Sequence, residues 1–307
     1  MAHDVAGDPM TGLRWTRKTT EKIRRQLRSV GIRVSRTTIA RLLKLLGYSL
    51  RVNHKKLARC SSEYRDQQFR YIKRLRTSFA RNALPIVSVD TKKKELVGRF
   101  KNPGVAWVKE PTKVKDHDFR SEGKGMAVPY GVFDLQANRG YVSVGVSHDT
   151  PQFAVHALAT WWARVGRMLY PRADQLLVLA DNGGSNSSRA RAWKIELQTH
   201  FCDRFHISVT VSHYPPGTSK WNPIEHMLFS AISRNWAGCP LESYETILNY
   251  IRSTKTSTGL RVNATLDARH YQTGIKINKA DLAAVRIRPH RTLAAWNYTL
   301  SPASSSA

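Results

Sequence analysis

Cysteine is scarce in this chain: there are three, Cys60, Cys202 and Cys239, odd in number and far apart. No CxxC pair exists, which argues against a zinc ribbon or a disulfide framework and agrees with a reducing cytosol. Acidic residues are few too. Only 22 Asp and Glu stand against 50 Lys and Arg, giving a formal charge of +28 over 307 residues. A compact protein carries that much positive charge most readily beside an anionic partner, and DNA or RNA is the usual one. No apolar run approaches the length of a membrane span, and no secretory signal opens the sequence. No Walker-type lysine follows the one glycine-rich turn, so a nucleotide P-loop is not expected.

Against that sparse acidic background, three carboxylates stand out by position. Two apolar strands each end in an aspartate: Ile86-Val87-Ser88-Val89-Asp90 and Leu176-Leu177-Val178-Leu179-Ala180-Asp181. A helix start, Trp221-Asn222-Pro223-Ile224-Glu225-His226, carries a glutamate. If the strands are parallel neighbours, both aspartates leave the sheet at its carboxyl edge, where ligand sites of open α/β sheets lie. Clustered carboxylates repel one another and call for cations, and hard oxygen ligands favour Mg²⁺ or Mn²⁺. An acidic metal site on a basic body suggests an enzyme that cuts or joins nucleic acid.

The charge is uneven. Residues 1–85 hold 21 Lys and Arg against 5 Asp and Glu, and the remaining 222 residues hold 29 against 17. A helix is expected from Thr19 to Gly31, with Ile23, Leu27 and Val30 as its apolar stripe. A second should start at Ser35, with Ile39, Leu42, Leu43 and Leu46 at helical spacing and Gly47 as its stop. Arg36, Arg41 and Lys44 lie off that stripe. Helix, short turn and helix with a basic face is the helix-turn-helix pattern. An ordinary helical pair with a solvated face would look the same, but the basic run Asn53-His54-Lys55-Lys56 tips the reading toward DNA. The expected division is a disordered 1–13, a helix-turn-helix domain over 14–60, a linker helix over 61–83, a catalytic domain over 84–300 and a disordered tail over 301–307.

Within 84–300 the pattern gives a strand at 86–90, a polar stretch from Thr91 to Gly125, and a hairpin of Ala127–Leu135 with Tyr141–Val146. A long helix over 152–170, a strand at 175–180, a helix over 186–201, a strand over 207–212 and a helix over 223–236 follow. That order matches a ribonuclease H-like fold: a mixed five-stranded sheet flanked by helices, preceded here by a small all-α domain. The neighbouring placement of the strands that carry Asp90 and Asp181 comes from likeness to that fold.

Each acid has an ordinary reading as well. Asp90 alone could be a turn former. Glu95, in a lysine-rich loop, suits a solvated surface. Asp181-Asn182-Gly183 could be a simple turn. Asn222, Pro223 and Glu225 resemble a capping box, yet Leu228, Phe229 and Ile232 share the side of Glu225, and a carboxylate on a packed side is costly without a cation. His148, His200, His206, His213 and His226 match no metal-ligand spacing. Asn182 and His226, each beside a triad acid, are candidate helpers. Lys92 and Lys93, in the loop after Asp90, are candidate DNA contacts. Lys220 and Trp221 are plausible contacts to phosphate and base.

Longer blocks carry a resemblance. Ser88-Val89-Asp90-Thr91-Lys92-Lys93-Lys94-Glu95-Leu96-Val97-Gly98 with Phe100-Lys101-Asn102-Pro103-Gly104, the run from Ala180 to Ser187, His213-Tyr214-Pro215-Pro216-Gly217-Thr218-Ser219-Lys220-Trp221-Asn222, Ile224-Glu225-His226, and Trp296-Asn297-Tyr298-Thr299 resemble the ISAzo-thirteen family of insertion-sequence DDE transposases. The likeness covers about Arg14 to Leu300. It implies that Asp90, Asp181 and Glu225 are a catalytic triad holding two Mg²⁺ or Mn²⁺ ions about 4 Å apart, with Asp90 shared by both. It also implies end-specific DNA binding, strand cleavage and strand transfer, a homodimer on transposon-end and target DNA, and a bacterial cytoplasmic, nucleoid-associated location. Family members carry residues ahead of the region that begins here near Asp8, so an amino-terminally shortened copy is expected. The competing readings are an inactive DNA-binding derivative acting as a repressor, and a nuclease on the same fold.

Overall fold

The computed structural model describes residues 6–7, 14–15, 18–48, 62–275 and 277–303. They belong to two compact units, Met1–Leu57 and Ala58–Ala307. Lys55 and Lys56 lie outside the described residues, as do most of 1–13 and the last four positions.

In the first unit, helix α1 (Thr20–Ser29) starts where Thr19 accepts a hydrogen bond from the Lys22 amide, and α2 (Arg36–Leu45) starts where Ser35 accepts from Thr38. Such side-chain caps satisfy amides that have no partner inside the helix. Ile23 and Ile39 are the buried side chains of the pair. Arg36, Arg41 and Lys44 are exposed, and the Arg36 guanidinium lies 3.9 Å from Glu21. Val30, Leu42 and Leu46, expected in the packed stripe, are exposed among the described residues.

In the second unit, nine strands form one mixed sheet. They are β1 (Ile86–Thr91), β2 (Glu95–Val97), β3 (Gly125–Asp134), β4 (Arg139–Gly145), β5 (Gln175–Ala180), β6 (Ser208–His213), β7 (Arg261–Asp267), β8 (Ile287–Pro289) and β9 (Asn297–Leu300). The order across the sheet is β8-β9-β6-β5-β1-β3-β4-β7, with β2 paired to β3. β1, β5 and β6 run parallel, β3 and β4 form the antiparallel hairpin, and β7 lies parallel to β4. The five central strands, in the order β6-β5-β1-β3-β4, form the mixed sheet expected from the sequence. The sheet is larger than the five strands expected, because β7 extends one edge and β9 with β8 extends the other.

Helices cover both faces. α4 (Pro151–Trp161, continued by a wider turn at Trp162–Gly166) and α5 (Arg191–Leu197) pack with Val87, Val89, Val178 and Ala180. The other face carries α6, a wide turn at Glu225–Phe229 running into Ser230–Asn235, and α7 (Tyr244–Ser253). α3 (Ser62–Arg81) also lies there: Ile72 and Phe79 pack on Ile86, Leu177, Leu179 and Tyr214. The buried Gln68 amide of α3 donates to the His213 carbonyl at 2.8 Å and to Asn297 at 2.8 Å. A helix expected as a linker is therefore part of the sheet's packing. Ser301 and Ala303, in the expected tail, are held by hydrogen bonds to Arg286 and Asp203.

Candidate active site

Strand alternation decides where the acids go. β1 and β5 pair in parallel with Val89 opposite Ala180, so Asp90 and Asp181 come next on both strands, at the same edge. Successive side chains of a strand alternate faces. Val87 and Val89 pack on the α4 face, while Ile86 packs on the α3 face. Ser88 and Asp90 follow Ile86, and so Asp90 faces the layer that contains α6.

Ser88 draws α6 to that place. Its hydroxyl donates to the buried Asn222 carboxamide oxygen and accepts from the Ile224 amide at 3.2 Å. The start of the Glu225 helix is thus fastened to β1 two residues before Asp90. Two glycines let α6 lie against the sheet. A Cβ on Gly131, the register partner of Asp90, would sit 2.6 Å from the Phe229 ring, and one on Gly140 would sit 2.4 Å from Leu228. The Asn222 side chain, expected as a helix cap, thus bonds to β1 instead, to the Ser88 hydroxyl and the Val89 carbonyl.

The result is a convergence of charge. Asp90 is buried, and the charges of Asp181 and Glu225 act on it. Burial foremost, then the charges of Asp181, Glu225 and Asp149, push its carboxyl far above the ordinary range, although the Thr91 amide, donating to its Oδ1 at 2.7 Å, opposes this. Asp181 is raised by burial and by Asp149, and Glu225 by burial and by Asp181.

Donor chemistry fits a hard divalent cation: three carboxylates at a partly exposed edge, with Asp181 close enough for its charge to raise both Asp90 and Glu225. Among the described residues no three His, Cys, Asp or Glu side chains already surround a common point.

The Asp181 loop is held from several sides. The buried His213 ring meets the Asp181 carbonyl through Nδ1 at 3.0 Å and the Tyr298 hydroxyl through Nε2 at 3.3 Å. A carbonyl only accepts, so Nδ1 carries the proton and Nε2 accepts from Tyr298. Burial lowers the His213 pKa to about 4 and keeps the ring neutral. Asn182 accepts from the Ser188 amide and hydroxyl, and Tyr130 donates to Asn186 at 2.8 Å. Asn182 thus shapes the loop.

Other predicted residues separate. Lys92 is a correction: its side chain is buried, 2.7 Å from Glu95 and 4.5 Å above the Trp236 ring, and cannot meet DNA without leaving that pairing. Glu95 is correspondingly mostly buried rather than solvated. Lys93 is exposed. Lys220 is exposed, with its ammonium 5.4 Å over the Trp221 ring, and Trp221 is 53% exposed against Phe69. His226 is exposed and hydrogen bonds the Lys220 carbonyl. Sequence reasoning missed Asp149, whose charge reaches Asp90 and Asp181. The signal was present: β4, returning beside β3, runs in the direction of β1, so the first acid after it emerges at the same edge.

A family model described as a Rhodopirellula transposase DDE domain matches residues 1–302. No curated protein matches the chain. Among solved structures, a Mos1 transposase paired-end complex with left transposon end is 17% identical with a TM-score of 0.45, over 76% of this chain and 65% of that one. A Mos1 mariner paired end complex with Mn is 16% identical with a TM-score of 0.43, and one with Mg 15% with 0.41, each over 76% of this chain and 65% of the other. The chain thus spans just under two thirds of the length of those proteins.

Proposed function

The chain belongs to the ISAzo-thirteen family of DDE transposases, and from that membership we propose that it binds the ends of an insertion sequence and catalyses metal-dependent strand cleavage and strand transfer. The observation that carries this reading is the convergence of Asp90, Asp181 and Glu225 at one sheet edge, each with its carboxyl raised by burial and by neighbouring negative charge.

Asp90, Asp181 and Glu225 would together hold two Mg²⁺ or Mn²⁺ ions. Such ions supply activation of an attacking oxygen and stabilisation of a leaving oxygen in an in-line displacement at phosphorus. The chain's own residues set the geometry. Ser88 and Asn222 hold the Glu225 helix against β1, and His213 holds the backbone at Asp181. Lys93, Lys220 and Trp221 offer exposed cations and an aromatic face to the DNA strand near the site. Arg36, Arg41 and Lys44 give α2 its basic face, which suits phosphate contacts at the transposon end. Joining two ends to one target calls for two active sites, and a homodimer on DNA supplies them.

The test is nicking and joining of a duplex that carries the element's terminal repeat. Wild type should nick in Mg²⁺ and join the freed 3′ end to a second duplex, while Asp181→Asn binds the same duplex and does neither. Nicking without joining would make the protein a nuclease, and binding without nicking a DNA-binding derivative. Unchanged nicking by Asp181→Asn would move the chemistry elsewhere.

A further inference from the structure

Four mutually parallel strands of the sheet, β1, β4, β5 and β7, carry an aspartate at or just past their carboxyl ends: Asp90, Asp149, Asp181 and Asp267. Asp267 is neutralised by Arg269 at 2.7 Å and accepts from Tyr271 at 2.8 Å. Asp90 and Asp181 belong to the triad proposed above. Asp149 has no ion-pair partner among the described residues, although the protein carries an excess of 28 positive charges. An unpaired carboxylate beside two others is unfavourable in isolation, and so its place calls for an explanation.

The contacts of Asp149 give one. It precedes Thr150, the cap of α4, and therefore comes from the layer opposite α6. Its Oδ1 accepts from the Thr91 hydroxyl at 3.1 Å. Thr91 points to the α4 face because Asp90 points to the α6 face, and the Thr91 amide donates to the Asp90 carboxylate. One residue therefore joins the two acids. The other oxygen, Oδ2, lies 3.8 Å from where a Cβ on Gly184 would stand, against the turn that follows Asp181. Asp149 thus touches the residue after Asp90 and the loop after Asp181, and its charge is felt by Asp90, Asp181 and the Tyr130 hydroxyl between the strands.

We infer that Asp149 is a positioning residue of the metal site, a fourth carboxylate that braces Thr91 and adds negative charge behind Asp90 and Asp181, so that the triad holds divalent ions more tightly than three acids alone would. The inference rests on the triad reading. Carboxylates that support metal ligands from behind typically contribute 10- to 100-fold in metal affinity or activity. Position at the amino end of α4 offers a purely structural alternative, in which the charge only complements the helix dipole.

Two substitutions separate these roles. Asp149→Asn keeps an oxygen for the Thr91 hydroxyl and removes the charge, and Asp149→Ala removes both. Mn²⁺ is titrated calorimetrically into the metal-free full-length wild type, both variants and Asp181→Asn, and each is melted with and without Mn²⁺. The expected result is Mn²⁺ affinity about 10-fold weaker in Asp149→Asn and weaker again in Asp149→Ala, with a smaller Mn²⁺-induced rise in Tm. Nicking by Asp149→Asn should recover at high Mn²⁺, since the half-saturating concentration moves and the limiting rate does not. A lower metal-free Tm with wild-type Mn²⁺ affinity would overturn the inference in favour of the helix-end role. Should Asp149→Ala fail to fold, Asp149→Asn decides alone. If wild type binds no Mn²⁺, or Asp181→Asn binds it as wild type does, the triad reading falls first and the inference with it. If only the Asp149 variants bind as wild type does, the inference falls and the triad stands.

Discussion

The Ser88 hydroxyl on β1 donates to the Asn222 carboxamide ahead of α6, two buried side chains 134 positions apart in the sequence. The same hydroxyl accepts from the Ile224 amide. Through these bonds the glutamate helix takes its position from the strand that ends in Asp90, and the distance between two of the three acids becomes a property of one buried polar knot.

Breaking that knot should cost both stability and chemistry. Asn222→Ala leaves the Ser88 hydroxyl without its buried acceptor, a loss of about 1–3 kcal/mol by the usual cost of an unsatisfied group. Urea unfolding should show that loss, and Mg²⁺-dependent nicking should fall at least about 10-fold as Glu225 drifts. Wild-type nicking in a folded Asn222→Ala protein would separate the knot from the site.

Gly131→Val places methyl groups where Phe229 and Ile224 now meet the sheet, both of them buried. Overpacking a filled core typically costs about 1–3 kcal/mol. Lower thermal stability and weak nicking are expected, and Gly140→Val should behave similarly because Leu228 occupies its space. A variant as stable and active as wild type would show that α6 can lift from the sheet without consequence.

How the ions compete with protons gives a pH test. Asp90 is raised to about 8, mainly by burial and then by Asp181, Glu225 and Asp149. In metal-free protein its folded pKa exceeds the unfolded one, so the stability it contributes is present at low pH and is lost as pH rises toward about 8. Mn²⁺ must displace that proton. The Mn²⁺-induced rise in Tm should therefore grow between pH 6 and pH 8. An increment that stays constant over that range would contradict it.

The neutral His213 works in the other direction. Its folded pKa is lowered to about 4 by burial, against an unfolded value near ~6.5. Between those values the unfolded chain binds more protons, so stability falls as pH drops through the window. Comparison of wild-type and His213→Gln melts from pH 7 to pH 4.5 should show a smaller pH slope in the variant. Equal slopes would mean that His213 titrates alike in both states.

DNA affinity should depend steeply on salt, because each phosphate contact contributes about −0.9 to the slope of log K against log salt. Arg36→Gln with Arg41→Gln should reduce that slope by about 2 if both side chains, exposed on α2, meet phosphates. An unaltered slope would remove α2 from the interface.

Much of this arrangement was legible in the sequence because it rests on short-range signals. The apolar run over Gln175–Ala180 coincides with β5, Thr19, one of two candidates with Thr20, caps α1, and α2 begins after Ser35 as expected. What escaped depends on contacts between distant segments. β7 alternates buried and exposed residues at an edge, and β9 is four residues long, so neither carries a strong signal. Lys92 sits in a basic run that looks solvent-exposed until Glu95 and Trp236 close around it. The place of α3 between two expected domains suggested a linker, whereas Ile72, Phe79 and Gln68 tie it to β1, β5 and β6. Asp149 lies in a short joint between a strand and a helix, and only the direction of β4 brings it to the edge of the acids.

The most direct measurement is the anomalous scattering of Mn²⁺ in crystals of the protein. The account predicts manganese peaks within bonding distance of the Asp90, Asp181 and Glu225 carboxylates. Peaks elsewhere, or none at saturating Mn²⁺, would contradict it.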